Sequence, residues 1–524
     1  VPAPASAAQA LLARAASARA SGDWGAAEQA LRDLLGEQPA HAPALSRLIE
    51  LLLVLGRLSE ARTLVESART LHPGLPVFTA QLGDVFSALG DPETALAAYQ
   101  LAAETPGTQA DLAALAFALH LSYLPDAPVE DFLAAVATWA RRHAPPAAPP
   151  LAAPPPPGRR LRVGYYSPDL RRHSITHFFL PLLRAHDRDR FELFVYDDTP
   201  APDHLSALLR RTATHWRELR PLDEAAAIRR IREDSLDLLV DLAGLFGAVR
   251  PRILAARPAP RQAHLLGFHG STGLASLDHR FSDPICDPPT CSAPSAETIL
   301  RIDPGFHCFD PLHEPIAEAP PPCLAGAPFT FGSFNNLNKL NSEVLALWAR
   351  VLATVPGSRL LLKAPALGDS AARSLLLARA SLAGLPAERL LLLPFEHAPS
   401  AHLATYHRVD LALDPFPCNG TTTTCEALWM GVPVITLLGD RPSARVSASI
   451  LHQIGHPELV ATDSADYVRR AAALASDHVR LSLLRSTLRA RLSRSPLGDP
   501  PAYARRIEAA YHQIICSPCP SHAP

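Results

Sequence analysis

Small and large apolar residues recur at a fixed interval through the first 110 residues: Gly22, Gly56 and Gly90 stand 34 apart, and Ala27, Ala61 and Ala95 keep that spacing. Leu31, Val65 and Tyr99 supply a larger apolar residue between them. Pro39 and Pro73 close the first two units, and Pro106 comes one residue early in the third. Small residues where helices must approach, glycine at the turn and proline ending the second helix predict stacked helix pairs. Three units fit residues 8–109, and the apolar spacing of 110–143 predicts a further pair that caps the stack. Residues 144–158, APPAAPPLAAPPPPG, predict a semi-rigid linker, because proline removes a hydrogen-bond donor and restricts the residue before it.

From Arg159 the pattern changes to short apolar runs separated by amphipathic helices such as 222–233. LRVGYYS, FELFVY, LDLLVDLAG and RQAHLLGF read as buried parallel strands, and FTFGSF, SRLLLKA, ERLLLLPF, DLALDPF and PVITLLG form a second set. The expected architecture is an α-helical tetratricopeptide solenoid over 1–143, the linker, and two doubly wound Rossmann-like α/β lobes at 159–325 and 326–490. Residues 491–524 are expected to be a C-terminal helix bracing the first lobe, followed by a disordered tail. Two such lobes in tandem imply a cleft, and ligands of open α/β sheets bind at the carboxyl ends of the strands.

Composition narrows the class. With 48% hydrophobic and 19% charged residues the chain can bury a core, and a formal charge of -2 gives no reason to expect nucleic acid or an anionic membrane as partner. No run reaches the roughly 18 apolar residues of a membrane span, and the first residues lack signal-peptide character. The only methionine is Met430, so the sequence is expected to begin downstream of its initiator. Eight cysteines without paired metal spacing suit a reducing, cytoplasmic setting, the C-x-x-C of Cys516 and Cys519 standing alone in a Pro/Ser tail. Residues with codons beginning AA are nearly absent. The chain has two lysines, Lys339 and Lys363, and five asparagines, Asn335, Asn336, Asn338, Asn341 and Asn419, so a surviving Lys or Asn marks a position where a substitute fails.

The segment DLALDPFPCNGTTTTCEALWMGVPVITLLG ends a strand near Asp414 and opens a helix with four threonines. Free N–H groups and the positive dipole end at such a start, with Thr421, Thr422 and Thr423 clustered there, make a diphosphate site. Glu426, one turn in, can accept from ribose hydroxyls or simply favour the dipole. In FGSFNNLNKLNSEV, Lys339 is placed to meet negative charge developing on a departing diphosphate, whereas Lys363 on a strand reads as structural or rim-exposed. SPDLRRHSITHFF puts His173 and His177 four apart at a helix start, hence on one face. They lack the Glu and third ligand of a zinc motif, so a cleft general base or acceptor-orienting role is preferred to metal. GFHGSTG, with His269 and Gly270, reads as a loop that lets backbone approach a ligand.

Together the array and the segments RVGYYSPDLRRHSITHF, RPAPRQAHLLGFHGSTG, FGSFNNLNKL and LDPFPCNGTTTTCEALWMGVP closely resemble the O-GlcNAc transferase and SPINDLY family, in order and over nearly the whole chain. The resemblance implies a GT-B fold and inverting, metal-independent and cofactor-free transfer from a nucleotide sugar to Ser or Thr of peptides bound along the repeats. It implies diphosphate contacts for Lys339, Thr422 and Thr423, nucleotide contacts for Asn336 and His402, a ribose contact for Glu426, and a candidate base in His173. His177, His269 and Gly270 are candidate acceptor or sugar contacts. Thr421 and Pro399 depart from the animal enzymes, and FGSFNNL and TTTTCE look more like SPINDLY proteins, whose donor is GDP-fucose. Arg445 resembles the O-GlcNAc transferase form. UDP-GlcNAc is the first expected donor and GDP-fucose the second, with a non-catalytic repeat scaffold as the alternative of a different class.

Overall fold

The computed structural model describes residues 7–105, 108–143, 155–156, 158–245, 250–290, 294–312, 316–396 and 398–516. Most of the 144–158 linker, together with Pro106 and Cys519, lies outside them. The chain forms two compact units that cut across the sequence segments: Val1–Leu124 with Phe334–Leu352 and Leu360–Glu396, and Pro125–Ser333 with Ala353–Arg359 and His397–Pro524.

Eight helices open the chain: α1 (Ala7–Ala20), α2 (Trp24–Glu37), α3 (Ala42–Val54), α4 (Leu58–Leu71), α5 (Pro76–Leu89), α6 (Pro92–Glu104), α7 (Thr108–Leu121) and α8 (Val129–His143). Gly22, Gly56 and Gly90 each take a left-handed φ, of 77°, 70° and 83°, at the turn inside a unit, which is the conformation glycine adopts without a Cβ penalty. Asp23 and Asp91 then cap the following helices by accepting from Ala26 N and Thr94 N. Gly83 is needed for a different reason, because a Cβ there would stand 2.6 Å from the Tyr99 ring. The core of the array is made of Leu31, Leu34, Leu45, Leu48, Ile49, Leu52, Val65 and Phe78. Cutting one of its leucines to alanine would cost about 2–5 kcal/mol.

That core does not end with the repeats. Ala372 belongs to it, and Ala366, Ala371 and Leu375, on and beside the helix Ser370–Leu382, pack against it. The N-cap of that helix, Asp369, accepts from Ser59 N at 3.0 Å and Ser59 Oγ at 2.5 Å. The first unit also holds a parallel strand pair, β9 (Arg359–Lys363, its first residue in the second unit) and β10 (Leu390–Leu393). Lys363 is buried, its ammonium over the rings of Phe334 and Phe395 at 5.4 and 6.0 Å, so it is structural and not rim-exposed.

In the second unit a seven-stranded parallel sheet runs in the order β3-β2-β1-β4-β5-β6-β7. Its strands are β1 (Leu161–Ser167), β2 (Phe191–Asp197), β3 (His215–Glu218), β4 (Leu238–Asp241), β5 (Gln262–His264), β6 (His279–Ser282) and β7 (Thr298–Arg301). The chain winds outward from β1 both ways, which places a switch point at the ends of β1 and β4. The same unit carries β8 (Thr330–Ser333), β11 (Leu411–Leu413), β12 (Val434–Leu437) and β13 (Val460–Ala461), paired parallel in that order. Strands β3, β6, β7 and β13 lack an apolar run in the sequence. The edges β3 and β7 are half-exposed, β13 is two residues long, and β6 buries an arginine, Arg280, against Asp287 at 2.8 Å. The helix Pro500–Cys516 packs on α9 (Ser174–Ala185). Tyr511 Oη lies 3.0 Å from Tyr165 Oη, and Glu508 meets buried His186 at 2.8 Å. Among the described residues no helix is long and apolar enough to cross a membrane.

Candidate active site

The turn between β11 and the helix Thr422–Trp429 is built around a buried carboxylate. Asp414, at the carboxyl end of β11, accepts from Gly420 N and Thr436 Oγ1, each at 2.7 Å, which draws the loop back onto the sheet. Gly420 must lack a side chain, since a Cβ would fall 2.5 Å from Thr423 Oγ1 and 2.7 Å from Thr424 Oγ1. Thr424 Oγ1 bonds Ser447 Oγ at 2.8 Å, and Ser447 Oγ in turn donates to Gly420 O. Thr424 is thereby committed to the loop that precedes the helix. Thr421 is the N-cap residue but its hydroxyl makes no bond to the helix. Thr422 Oγ1 is buried and makes no hydrogen bond. A helix start that its own N-cap side chain does not cap is a place for an anion.

Thr421 Oγ1 instead meets His269 Nε2 at 3.1 Å, so the glycine-rich loop of the first sheet and the threonine cluster come together within the second unit. Three features fix that loop. Gly267 passes so close to Leu242 O that a Cβ would lie 2.2 Å from it. Buried Glu297 accepts from Ser271 Oγ at 2.6 Å and Thr272 N at 2.7 Å. From α8, Phe132 packs on Phe268 with ring centroids 5.5 Å apart. Gly270 lies 3.2 Å, measured from an added Cβ, from the Phe268 ring. Behind His269 stands His307, 5.1 Å away edge-on, with Phe306 and Phe178 beside it. Both His307 ring nitrogens are buried without a hydrogen bond, and burial pushes its pKa down to about 3.

Glu426 sits one turn into the helix. Its Oε2 lies 3.1 Å from His402 Nε2, on the short helix Pro399–Ala404, and accepts from Tyr406 Oη at 3.4 Å. Burial opposes ionisation, yet the His402 and Tyr406 hydrogen bonds and the nearby His402 and His177 charges hold the carboxyl below its usual range. Burial and that charge push the Tyr406 phenol well up, so it acts as a donor. Tyr406 carries no sequence signal beyond being an aromatic in a helical stretch.

The two histidines of the first lobe do not share a helix face. His173 is the N-cap of α9 with extended φ and ψ of -147° and 159°, its Nδ1 accepting from Ile175 N at 3.4 Å, while His177 lies in the first turn. His177 is committed to Asp310 O at 2.8 Å and stacks on Phe309. His173 remains open to solvent. The protein around it lowers its pKa, with Asp169 pulling the other way. Arg445 donates to Ile285 O and Gly439 O, both at 2.7 Å.

Asn336 and Lys339 belong to the first unit. Asn336 is exposed and caps the 3-10 turn Leu337–Lys339 by accepting from Asn338 N at 3.0 Å; Lys339 is half-buried. Asn341 caps the helix Ser342–Thr354, its Oδ1 accepting from Val344 N at 2.9 Å. Asn335 and Asn419 are buried, the latter donating to Pro415 O.

Comparison with known proteins shows the family. A tetratricopeptide model matches residues 18–77, and the model of glycosyl transferase family 41 matches 146–310 and 324–507. The chain is 36% identical over 370 residues to a Solanum lycopersicum protein described as a probable UDP-N-acetylglucosamine–peptide N-acetylglucosaminyltransferase SPINDLY. An Arabidopsis thaliana protein described by the same activity with the name SEC is 28% identical over 387 residues. Each match takes in 70% of this chain; the chain spans about 40% of the length of the first relative and 38% of the second. The structure of a Thermobaculum terrenum O-GlcNAc transferase mutant superposes with a TM-score of 0.91 at 34% identity, covering 97% of both chains. The chain belongs to glycosyl transferase family 41 and carries tetratricopeptide repeats ahead of its two parallel α/β sheets.

Proposed function

We propose that the protein transfers a sugar, N-acetylglucosamine first among candidates, from a uridine diphosphate donor to Ser or Thr hydroxyls of protein acceptors. The observation that carries this reading is the likeness to the Thermobaculum terrenum O-GlcNAc transferase over 97% of both chains. The local chemistry is consistent with it. The start of the helix Thr422–Trp429 offers N–H groups, the Thr422 hydroxyl and a dipole to a phosphate. Lys339 supplies a point charge for the leaving diphosphate, so no metal ion is required to neutralise it. Glu426, ionised and oriented by His402 and Tyr406, accepts from ribose hydroxyls. His173, with its lowered pKa, is neutral near pH 7, and its Nδ1, in exchange for the long 3.4 Å bond from Ile175 N, takes the proton of the acceptor hydroxyl as it attacks the anomeric carbon. The acceptors are proposed to bind along the repeats, and the setting is proposed to be the cytoplasm.

A GDP-fucose donor is the second reading, favoured by the SPINDLY-like FGSFNNL and TTTTCE segments. Calorimetry with UDP and with GDP separates them: binding of UDP with none of GDP is expected, and the reverse would transfer the assignment to fucose. Lys339→Ala should weaken diphosphate binding and lower turnover by at least about a hundredfold, the scale of losing one charge-stabilising group. Near-normal turnover would remove the lysine from the mechanism. Turnover should also fall on acidification only below the ordinary imidazole pKa of 6.5, because a depressed His173 keeps its free base form to lower pH. His173→Ala should abolish that limb.

A further inference from the structure

The segment that carries Lys339 is not supported by its own lobe alone. We infer that the third tetratricopeptide unit is a positioning element for Lys339, with Ser87, Gly90 and Glu93 holding the segment 337–342 in the conformation the leaving-group lysine requires. The inference rests on the reading of Lys339 given above, and all of the residues involved lie within the first unit.

The central contact is a relay of three side chains. Asn338 Nδ2 donates to Ser87 Oγ at 2.9 Å, and His120 Nε2 lies 2.9 Å from the same oxygen. His120 Nδ1 faces Ala116 O at 2.8 Å, and a carbonyl only accepts, so Nδ1 carries the hydrogen. Burial lowers the ring's pKa, so Nε2 is a bare acceptor near neutral pH. The Ser87 hydroxyl must then donate to His120, which leaves its lone pairs to receive Asn338. The direction of every hydrogen in the relay is thereby set from α7, through α5, to the turn Leu337–Lys339. Tyr99, the large apolar residue of this repeat, adjoins the same hydroxyl.

Two more contacts hold the flanks. Gly90 has no side chain because Leu337 occupies the space: a Cβ would fall 2.2 Å from Leu337 Cβ. Glu93 Oε1 accepts from Ser342 N and Ser342 Oγ, both at 2.8 Å, at the start of the helix Ser342–Thr354. Glu93 Oε2 binds Arg379 at 2.9 Å, and Arg379 also donates to Leu340 O at 2.7 Å and to Gly90 O. Asn341 Nδ2 reaches Tyr123 O at 2.9 Å. Residues 337, 338, 340, 341 and 342 are thus tied into the array, whereas Asn336 is exposed and Lys339 half-buried. The arrangement also accounts for two of the five asparagines as anchors to the repeats. Ser59 and Glu93 stand at the same place in consecutive units, three residues after Gly56 and Gly90, so one face of the array is used repeatedly for this attachment.

A double-mutant cycle on the full chain tests the role. Calorimetry with UDP and GDP identifies the diphosphate that binds, and its affinity is measured for the wild type, Ser87→Ala, Lys339→Ala and the pair. Ser87→Ala should weaken diphosphate binding about threefold to tenfold, the worth of one hydrogen bond, and should add nothing once Lys339 is alanine. Asn338→Ala cuts the same bond from the other side and is measured alongside, with melting temperatures, so that a folding defect in the array does not decide the result. Wild-type affinity in both variants, or an equal loss with and without Lys339, overturns the positioning role while leaving the lysine's own role standing. Unchanged diphosphate affinity in Lys339→Ala, or no binding of either diphosphate by the wild type, overturns the underlying reading instead.

Discussion

At the scale of single residues, burial decides what a polar group can do. His307 has no hydrogen-bond partner at either ring nitrogen and a pKa pushed down to about 3, so the folded chain cannot protonate it until the solution is strongly acidic. The unfolded chain takes that proton near the ordinary value of 6.5. The contribution to stability is therefore complete above pH 6.5 and is lost as pH falls from 6.5 toward 3; at pH 5 the loss is about 2 kcal/mol. His307→Leu should remove that share of the acid sensitivity, read as the difference between urea unfolding of the two proteins at pH 7.5 and pH 5. Parallel pH profiles would contradict it. Nothing in FHC, residues 306–308, distinguishes this histidine from a surface one, because its environment is assembled from Phe178 and His269 far along the chain. Lys339, by contrast, could be singled out from sequence because the chain keeps only two lysines.

At the scale of elements, loops carry the candidate chemistry and buried carboxylates hold the loops. Glu297 serves the GFHGSTG loop through Ser271 and Thr272, as Asp414 serves the threonine turn through Gly420 and Thr436. Glu297→Ala leaves a buried N–H and hydroxyl groups unserved and should cost about 3 kcal/mol, with the melting temperature as the measure. It should also weaken binding of the nucleotide sugar through the displaced His269. Gly420→Ala should lower both the melting temperature and the nucleotide affinity, since the added Cβ presses on the Thr423 and Thr424 hydroxyls; unaltered nucleotide affinity would count against the threonine site. The threonine run and the glycines were legible in the sequence. Their carboxylate partners were not, because a hydrogen bond 25 residues away, such as that from Thr272 to Glu297, leaves no periodic trace.

At the scale of the whole molecule, the repeat array forms one compact unit with 334–352 and 360–396 and shares its core with the helix Ser370–Leu382. Ala366, Ala371, Ala372 and Leu375 pack on it, and Asp369 is bonded to Ser59. Deleting residues 1–105 should therefore expose an apolar face, and the remaining chain should aggregate or melt well below the full protein. A truncated chain that melts as the full one does would show the shared core to be incidental.

The sequence by itself determined the helix pairs, most of the buried strands and the segments that bear Lys339, Thr422 and Glu426. Each of these rests on local order: a 34-residue period, an apolar run, a cluster of one residue type. Only the tertiary structure decided how those segments are supported. It placed His173 at an N-cap and not on a shared face with His177, buried Lys363 between aromatic rings, and tied the Lys339 turn to Ser87. The physical reason is that burial and hydrogen-bond pairing are properties of neighbours in space, and here the deciding neighbours lie far apart along the chain.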